Sequence, residues 1–170
     1  EAATFADEVY TDISGSSTAV LKGGEPRLLL SGHIDEIGVI ITYIDDDGFL
    51  YFAGVGGWDP QVFIGQRIRL LGHNGDVIGV IGKKAIHLMK PEERTKASNI
   101  EDMWIDIGVK NRAAALEQVR VGTTGVIDAD LHEFPNGRIV SRSIDNRIGA
   151  YTVLEALRLL APAAPCVVDV

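Results

Sequence analysis

In the stretch LLLSGHIDEIGVII (Leu28 to Ile41), a His, an Asp and a Glu interrupt a run that is apolar at both ends. Side chains at i and i+2 of an extended chain project to the same face. His33 and Asp35 therefore stand together, and Glu36 points the other way. The chemistry that uses an imidazole and a carboxylate at this spacing is metal binding. One ring nitrogen ligates, while the carboxylate holds the other N–H and fixes the tautomer. Taken alone, the tripeptide reads equally well as a satisfied His–Asp hydrogen bond at the end of a strand. A second candidate, Asp145 in SRSIDNRIGAY, stands where extended chain gives way to a helix. It can cap that helix, accepting from free N–H groups for about 1 kcal/mol, a place for which Ser143 competes. Alternatively its two oxygens can bridge two cations at a sheet edge. On these residues alone the cap is the commoner role.

The other histidines offer less. His73 lies beside a turn and is expected to be solvated. His87, flanked by apolar residues in KKAIHLMKP, is expected to pack. His132, before Pro135 and the Asn136-Gly137 turn, is expected to be exposed. None has a second ligand at a useful spacing. Trp58 and Trp104 read as core or interface aromatics. No phosphate-cradling glycine loop, nucleophile elbow or cysteine cluster occurs, so nucleophilic serine or cysteine catalysis has no support.

Elements that could position such residues follow from pattern. EVYTDISGSSTAV reads as two strands around a Gly/Ser turn. PRLLLSGHID reads as a third, apolar enough to be covered on both faces, and ends at His33-x-Asp35, where open α/β sheets place their ligands. GVIITYIDDDGFLYFAGV is a hairpin turning at Asp47-Gly48, and QRIRLLGHNGDVIGVIG another turning at Asn74-Gly75. EDMWIDIGV and TTGVID add strands, NRAAALEQV a short helix, and EFPNGRIV a further hairpin. Closely spaced strands with glycine turns predict a small barrel or sandwich. From Asp145 the period becomes 3.6: Ile148, Tyr151, Leu154 and Leu157 share a face, Pro162 ends the helix, and APCVVDV is a strand. KPEERTKAS (Lys90 to Ser98), charged and without periodicity, is the expected exposed loop. The fold class predicted is α/β, with an all-β domain inserted into an α/β layer.

Composition bounds the partners. A 46% hydrophobic, 24% charged chain of 170 residues can bury a core. A net charge of −8 argues against nucleic acid, whose phosphates demand Lys and Arg. The longest apolar runs fall far short of the roughly 18 residues a membrane span needs. A single Cys166 excludes an internal disulfide framework and fits a reducing cytoplasm. The abrupt start at Glu1 and the half-strand CVVDV at the end suggest a piece of a longer protein.

LLLSGHIDEIGVIITYIDDDGFLYF, GQRIRLLG, AIHLMKPEERTKA followed by WIDIGVKN, and GRIVSRSIDNRIGAYTVLEAL occur in an order that resembles the glutamyl-aminopeptidase family of dinuclear metallo-aminopeptidases. That family includes TET-type enzymes and relatives labelled endoglucanases. The resemblance implies a three-layer-type metallopeptidase catalytic domain, incomplete, at 1–36 and 130–170, and an inserted β-barrel dimerisation and assembly domain at 37–129. It implies His33 as a terminal metal ligand, Asp35 as the catalytic group that orients and polarises it, and Asp145 as the bridge between two divalent ions, Zn or Co. Asn146 takes the place where many relatives have an acid, in an Asp-[Asp/Asn]-Arg motif completed by Arg147. The family's Glu-Glu pair, whose first member is the general base, and a later Asp and His are expected beyond Val170. Peptides are the implied substrates, N-terminal residues leave by attack of metal-activated water, and the parent is implied to be a dimer or dodecamer.

Two cations about 3.5–4 Å apart explain these residue types, since they clamp a water and polarise a carbonyl, and their repulsion calls for a bridging carboxylate. A neutral imidazole suits Zn or Co better than Mg. With two ligands alone, the isolated chain is expected to bind metal weakly and not to turn over peptides. Two other classes were weighed. A non-enzymatic β-barrel assembly module describes what the chain could do by itself. A glycoside hydrolase needs two carboxyls roughly 5–10 Å apart and has no use for a His-x-Asp metal strand.

Overall fold

The computed structural model describes residues 1–24, 26–163 and 168–169. In chain order the strands and α-helices are β1 (Glu8–Thr11), β2 (Ser17–Leu21), β3 (Leu28–Leu29), β4 (Gly38–Ile44), β5 (Leu50–Val55), β6 (Arg67–Gly72), β7 (Gly75–Lys83), α1 (Pro91–Arg94), β8 (Met103–Asp106), α2 (Arg112–Leu116), β9 (Thr124–Ile127), β10 (His132–Phe134), β11 (Arg138–Val140), α3 (Ile144–Leu160) and β12 (Val168–Asp169). They divide into two compact units, one of Glu1–Asp35 with Ser143–Val170, the other of Glu36–Arg142. No helix among the described residues is long and apolar enough to cross a membrane.

The first unit is a four-stranded mixed sheet, ordered β1-β2-β12-β3, with α3. β12 runs antiparallel to β2 and parallel to β3. Alternation along β2 turns Ala19 and Leu21 to one side, where they pack with the fully buried Leu157 of α3 and with Phe5 and Leu30. Two expectations are corrected here. The run PRLLLSGHID forms only a two-residue strand, and Leu28 and Leu29 are 51% and 71% exposed instead of covered on both faces. β3 is the outermost strand of its sheet, and of the three leucines only Leu30 packs on this core. The apolar face predicted for α3 is likewise divided: Leu157 is buried, whereas Ile148 and Tyr151 are exposed. Of APCVVDV, residues 164–167, Cys166 among them, and 170 lie outside the described residues.

The second unit contains a closed six-stranded barrel, ordered β4-β5-β8-β7-β6-β9, so no strand edge is left unpaired around the ring. Inward positions recur with period two, as Ile68 and Leu70 on β6 and Met103 and Ile105 on β8 illustrate. On β4 the inward residues are Val39, Ile41 and Ile44, which strict alternation forbids. A register shift between Ile41 and Tyr43 absorbs the extra residue. Phe63, fully buried, closes the core. It meets Phe52 edge-on at 5.4 Å between ring centroids and Trp58 at 4.4 Å. Trp58 is thereby a core aromatic, and its Nε1–H donates to the Gly38 carbonyl at 2.8 Å. Trp104 packs beside Phe49 at 5.8 Å. The β4–β5 turn needs a residue at positive φ, and Gly48 supplies it at +92°. A Cβ there would also lie 2.9 Å from the Asn111 carbonyl oxygen.

The compact unit that holds the barrel strands also takes in the β10–β11 hairpin. That hairpin pairs with itself, and the chain leaves the unit at Arg142, whose guanidinium forms an ion pair with Glu36 at the point of arrival. KPEERTKAS is exposed as expected but contains α1, one turn at whose start Lys90 N–H donates to the Glu93 carboxylate at 2.7 Å. His73 and His132 are exposed as expected. His87 is corrected: it is exposed on a 3-10 turn with Ile86 and Leu88, rather than packed. The turn lies beyond the end of β7, past the last inward-facing barrel position, so none of its three side chains is buried.

Candidate metal centre

The first unit brings the ends of two distant sequence motifs together. His33 and Asp35 follow β3 on extended chain, and their side chains meet as the i, i+2 rule requires: His33 Nδ1 and Asp35 Oδ1 are 2.9 Å apart. Glu36 is turned away and engaged by Arg142. The opposite ring nitrogen, His33 Nε2, lies 3.3 Å from Asp145 Oδ1. All three side chains are open to solvent, Asp145 at 95%. A cleft of about 710 Å³ borders His33 and Asp35, with Ala150, Val153 and Leu154 of α3 on one side and Ser14 and Ser17 on another.

Asp145 is not a helix cap. Ser143 occupies the position before α3 at φ +63°, without a side-chain cap bond, and Asp145 itself is extended at φ −87°, ψ 106°. The 145–146 peptide is cis. Regular helix begins only after Asn146. The Asp145 carboxylate faces His33.

The proton inventory decides what this arrangement can hold. An ionised Asp35 only accepts, so the 2.9 Å contact places the ring hydrogen on Nδ1. With its hydrogen on Nδ1 alone, the ring presents a bare Nε2 lone pair to a carboxylate oxygen; with a hydrogen on both nitrogens, the same contact is an ion pair. Two acceptors 3.3 Å apart repel unless something positive lies between them. A proton or a metal cation can fill that role, and imidazole nitrogen with carboxylate oxygen is a donor set that divalent zinc accepts. No cluster of three or more His, Cys, Asp or Glu side chains occurs among the described residues, so the pair supplies only part of a coordination shell.

Two contacts that the sequence did not announce link the two segments. A Cβ on Gly32 would stand 2.6 Å from the Ala150 backbone nitrogen, so the chain beside His33 passes within touching distance of α3. Arg147 donates its Nε–H to the Ile34 carbonyl at 3.0 Å. A glycine immediately before His-x-Asp and an Arg two residues after Asp145 were the available signals. Each is uninformative without knowing that the two segments meet.

The chain matches the M42 glutamyl aminopeptidase family over residues 15–168. It belongs to that family. Within the M42 family it is 33% identical over 158 residues to the lysyl aminopeptidase of Pyrococcus furiosus, covering 91% of this chain and 45% of that protein. The TET aminopeptidase of a marine sediment Thaumarchaeota archaeon superposes with a TM-score of 0.91 at 38% identity, over 98% of this chain and 49% of the other. A TET peptidase of Pyrococcus horikoshii, described as assembling into a tetrahedron or a large octahedral shell, gives 0.82 at 33% identity, over 97% and 50%. The M42 fold predicted from sequence, an α/β domain with an inserted barrel, is the fold observed. The chain spans about half the length of these relatives or less.

Proposed function

We propose that this chain contributes one wall of the active site of a metal-dependent aminopeptidase, and that the protein to which it belongs releases N-terminal residues from peptides. The observation carrying this reading is the approach of His33 Nε2 to Asp145 Oδ1 at 3.3 Å, in a chain of the M42 family. His33 would hold one cation through Nε2. Asp35 keeps the imidazole in that tautomer and raises its basicity by accepting from Nδ1. Asp145, whose Oδ1 faces His33, would join a second cation to the first through its two oxygens. Two divalent ions, zinc or cobalt, would supply Lewis acidity for polarising a scissile carbonyl and activating water. His33 and Asp145 are too few to retain them, so further ligands and the general base are placed on polymer outside these residues. By itself the chain is expected to bind metal weakly and not to turn over. We assign the barrel to subunit assembly, into a dimer or a dodecamer, and the protein to the cytoplasm.

Aminoacyl-p-nitroanilide hydrolysis by the whole gene product, before and after exhaustive chelation and with Zn²⁺ or Co²⁺ restored, tests the activity. Loss on chelation and recovery with metal are expected. Full activity without metal would remove the reading. Asp145→Asn should abolish turnover, and a near-normal rate in that variant would show that Asp145 is not the bridge.

A further inference from the structure

Arg147 is absorbed by none of the roles above. It lies two residues after Asp145, and its Nε–H reaches back to the carbonyl of Ile34, the residue between His33 and Asp35. The contacts form a ring. His33 meets Asp145 through side chains, the chain runs from 145 to 147, and Arg147 returns to the backbone one residue beyond His33. Of the two side-chain links in this ring, the His33–Asp145 contact is the one a bound cation replaces, since the lone pairs that face each other there are those that would ligate. It therefore cannot align the two groups in the loaded site. The Arg147 link uses a cationic guanidinium, which no metal ligates, and a main-chain acceptor outside the His33–Asp145 pair, so loading need not break it.

We propose that Arg147 is a positioning residue, fixing the His33–Asp35 segment against the start of α3 so that Nε2 and the Asp145 carboxylate converge on one ion. This inference rests on the metal reading of the site. An interaction supporting a metal ligand typically contributes tenfold to a hundredfold in affinity. Arg147 acts through the backbone, so roughly tenfold is expected.

The test measures Zn²⁺ affinity by competition with a chelating dye on the apo form of the whole gene product. Wild type, Arg147→Met, Arg147→Lys and the core variant Leu157→Val are compared, each with its unfolding midpoint. Arg147→Met should weaken Zn²⁺ binding about tenfold. Arg147→Lys, which keeps a charged donor, should recover part of that loss. Leu157→Val should lower the midpoint and leave affinity unchanged. Equal affinity in wild type and Arg147→Met would overturn the proposal, as would affinity that falls in Leu157→Val in step with its midpoint. If Arg147→Met does not fold, Arg147→Lys decides: full wild-type affinity would then count against a guanidinium-specific tie. A wild type that binds no Zn²⁺ would instead remove the metal reading itself, a distinguishable failure.

Discussion

Replacing Gly32 by alanine should damage the site without touching a proposed ligand. The added Cβ would lie 2.6 Å from the backbone nitrogen of Ala150, 2.9 Å from its Cα and 3.0 Å from the carbonyl carbon of Gly149. Comfortable contacts between such atoms are about 3.5–4.0 Å. All three obstacles are backbone, so no side chain can swing aside, and the chain at Gly32 must withdraw from α3 by roughly 1 Å. Overpacking of this kind costs about 1–3 kcal/mol, visible as a lower urea midpoint. The larger effect falls on geometry. His33 is the next residue, and its Nε2 lies 3.3 Å from Asp145. Metal–ligand distances tolerate only about ±0.2 Å, and a misplacement of about 1 Å at an active site costs on the order of a hundredfold in rate. Gly32→Ala in the whole gene product should therefore weaken Zn²⁺ binding and lower kcat/KM by about that factor. Gly24→Ala, whose Cβ would meet nothing within 4 Å, should do neither. Wild-type affinity and rate in Gly32→Ala would show that the close passage of the two segments does not set the site.

Asp35→Asn removes the charge that fixes the His33 tautomer and should lower metal affinity by about tenfold to a hundredfold, read by the same dye competition. Phe63→Ala, at the centre of the barrel core, should cost about 3–5 kcal/mol in chemical denaturation, with loss of the barrel's cooperative transition. The Glu93 carboxyl is held below the usual carboxylate range, first by the Lys90 N–H and then by Lys84. A lowered folded value means that its contribution is complete above the ordinary glutamate range. It begins to fade as pH falls through that range and is gone below the lowered value. Amide hydrogen exchange at Lys90, corrected for intrinsic rate, should therefore accelerate as the solution is acidified, and no acceleration in a Glu93→Gln control is expected.

Much of the barrel was legible because its signals are local. Asp47-Gly48 and Asn74-Gly75 announce their turns, and alternation along β6 and β8 assigns inward and outward faces with no knowledge of partners. The bulge in β4 was hidden, since an extra residue between Ile41 and Ile44 has no distinctive chemistry of its own. The pairing of His33 with Asp35 was equally readable from period two. What the residues alone could not decide was Asp145, where an acid before a helix suits both a cap and a bridge. The backbone bears on the cap alone: regular helix starts only after Asn146. His87 was misjudged because flanking apolar residues imply burial only inside a regular element, and Ile86 and Leu88 are themselves exposed on a short turn. Gly32 and Arg147 stayed silent for a different reason: their partners are more than a hundred positions away along the chain.

That separation is bridged by the ion pair between Glu36 and Arg142. Holding the ends of a flexible loop of roughly a hundred residues together costs about 4 kcal/mol in chain entropy. Once the barrel has folded and its two ends are clasped, His33 and Asp145 are separated by a few residues on either side of a closed junction, as if joined by a tight turn. The inserted unit thus works as a folded spacer, converting a long-range encounter into a short-range one.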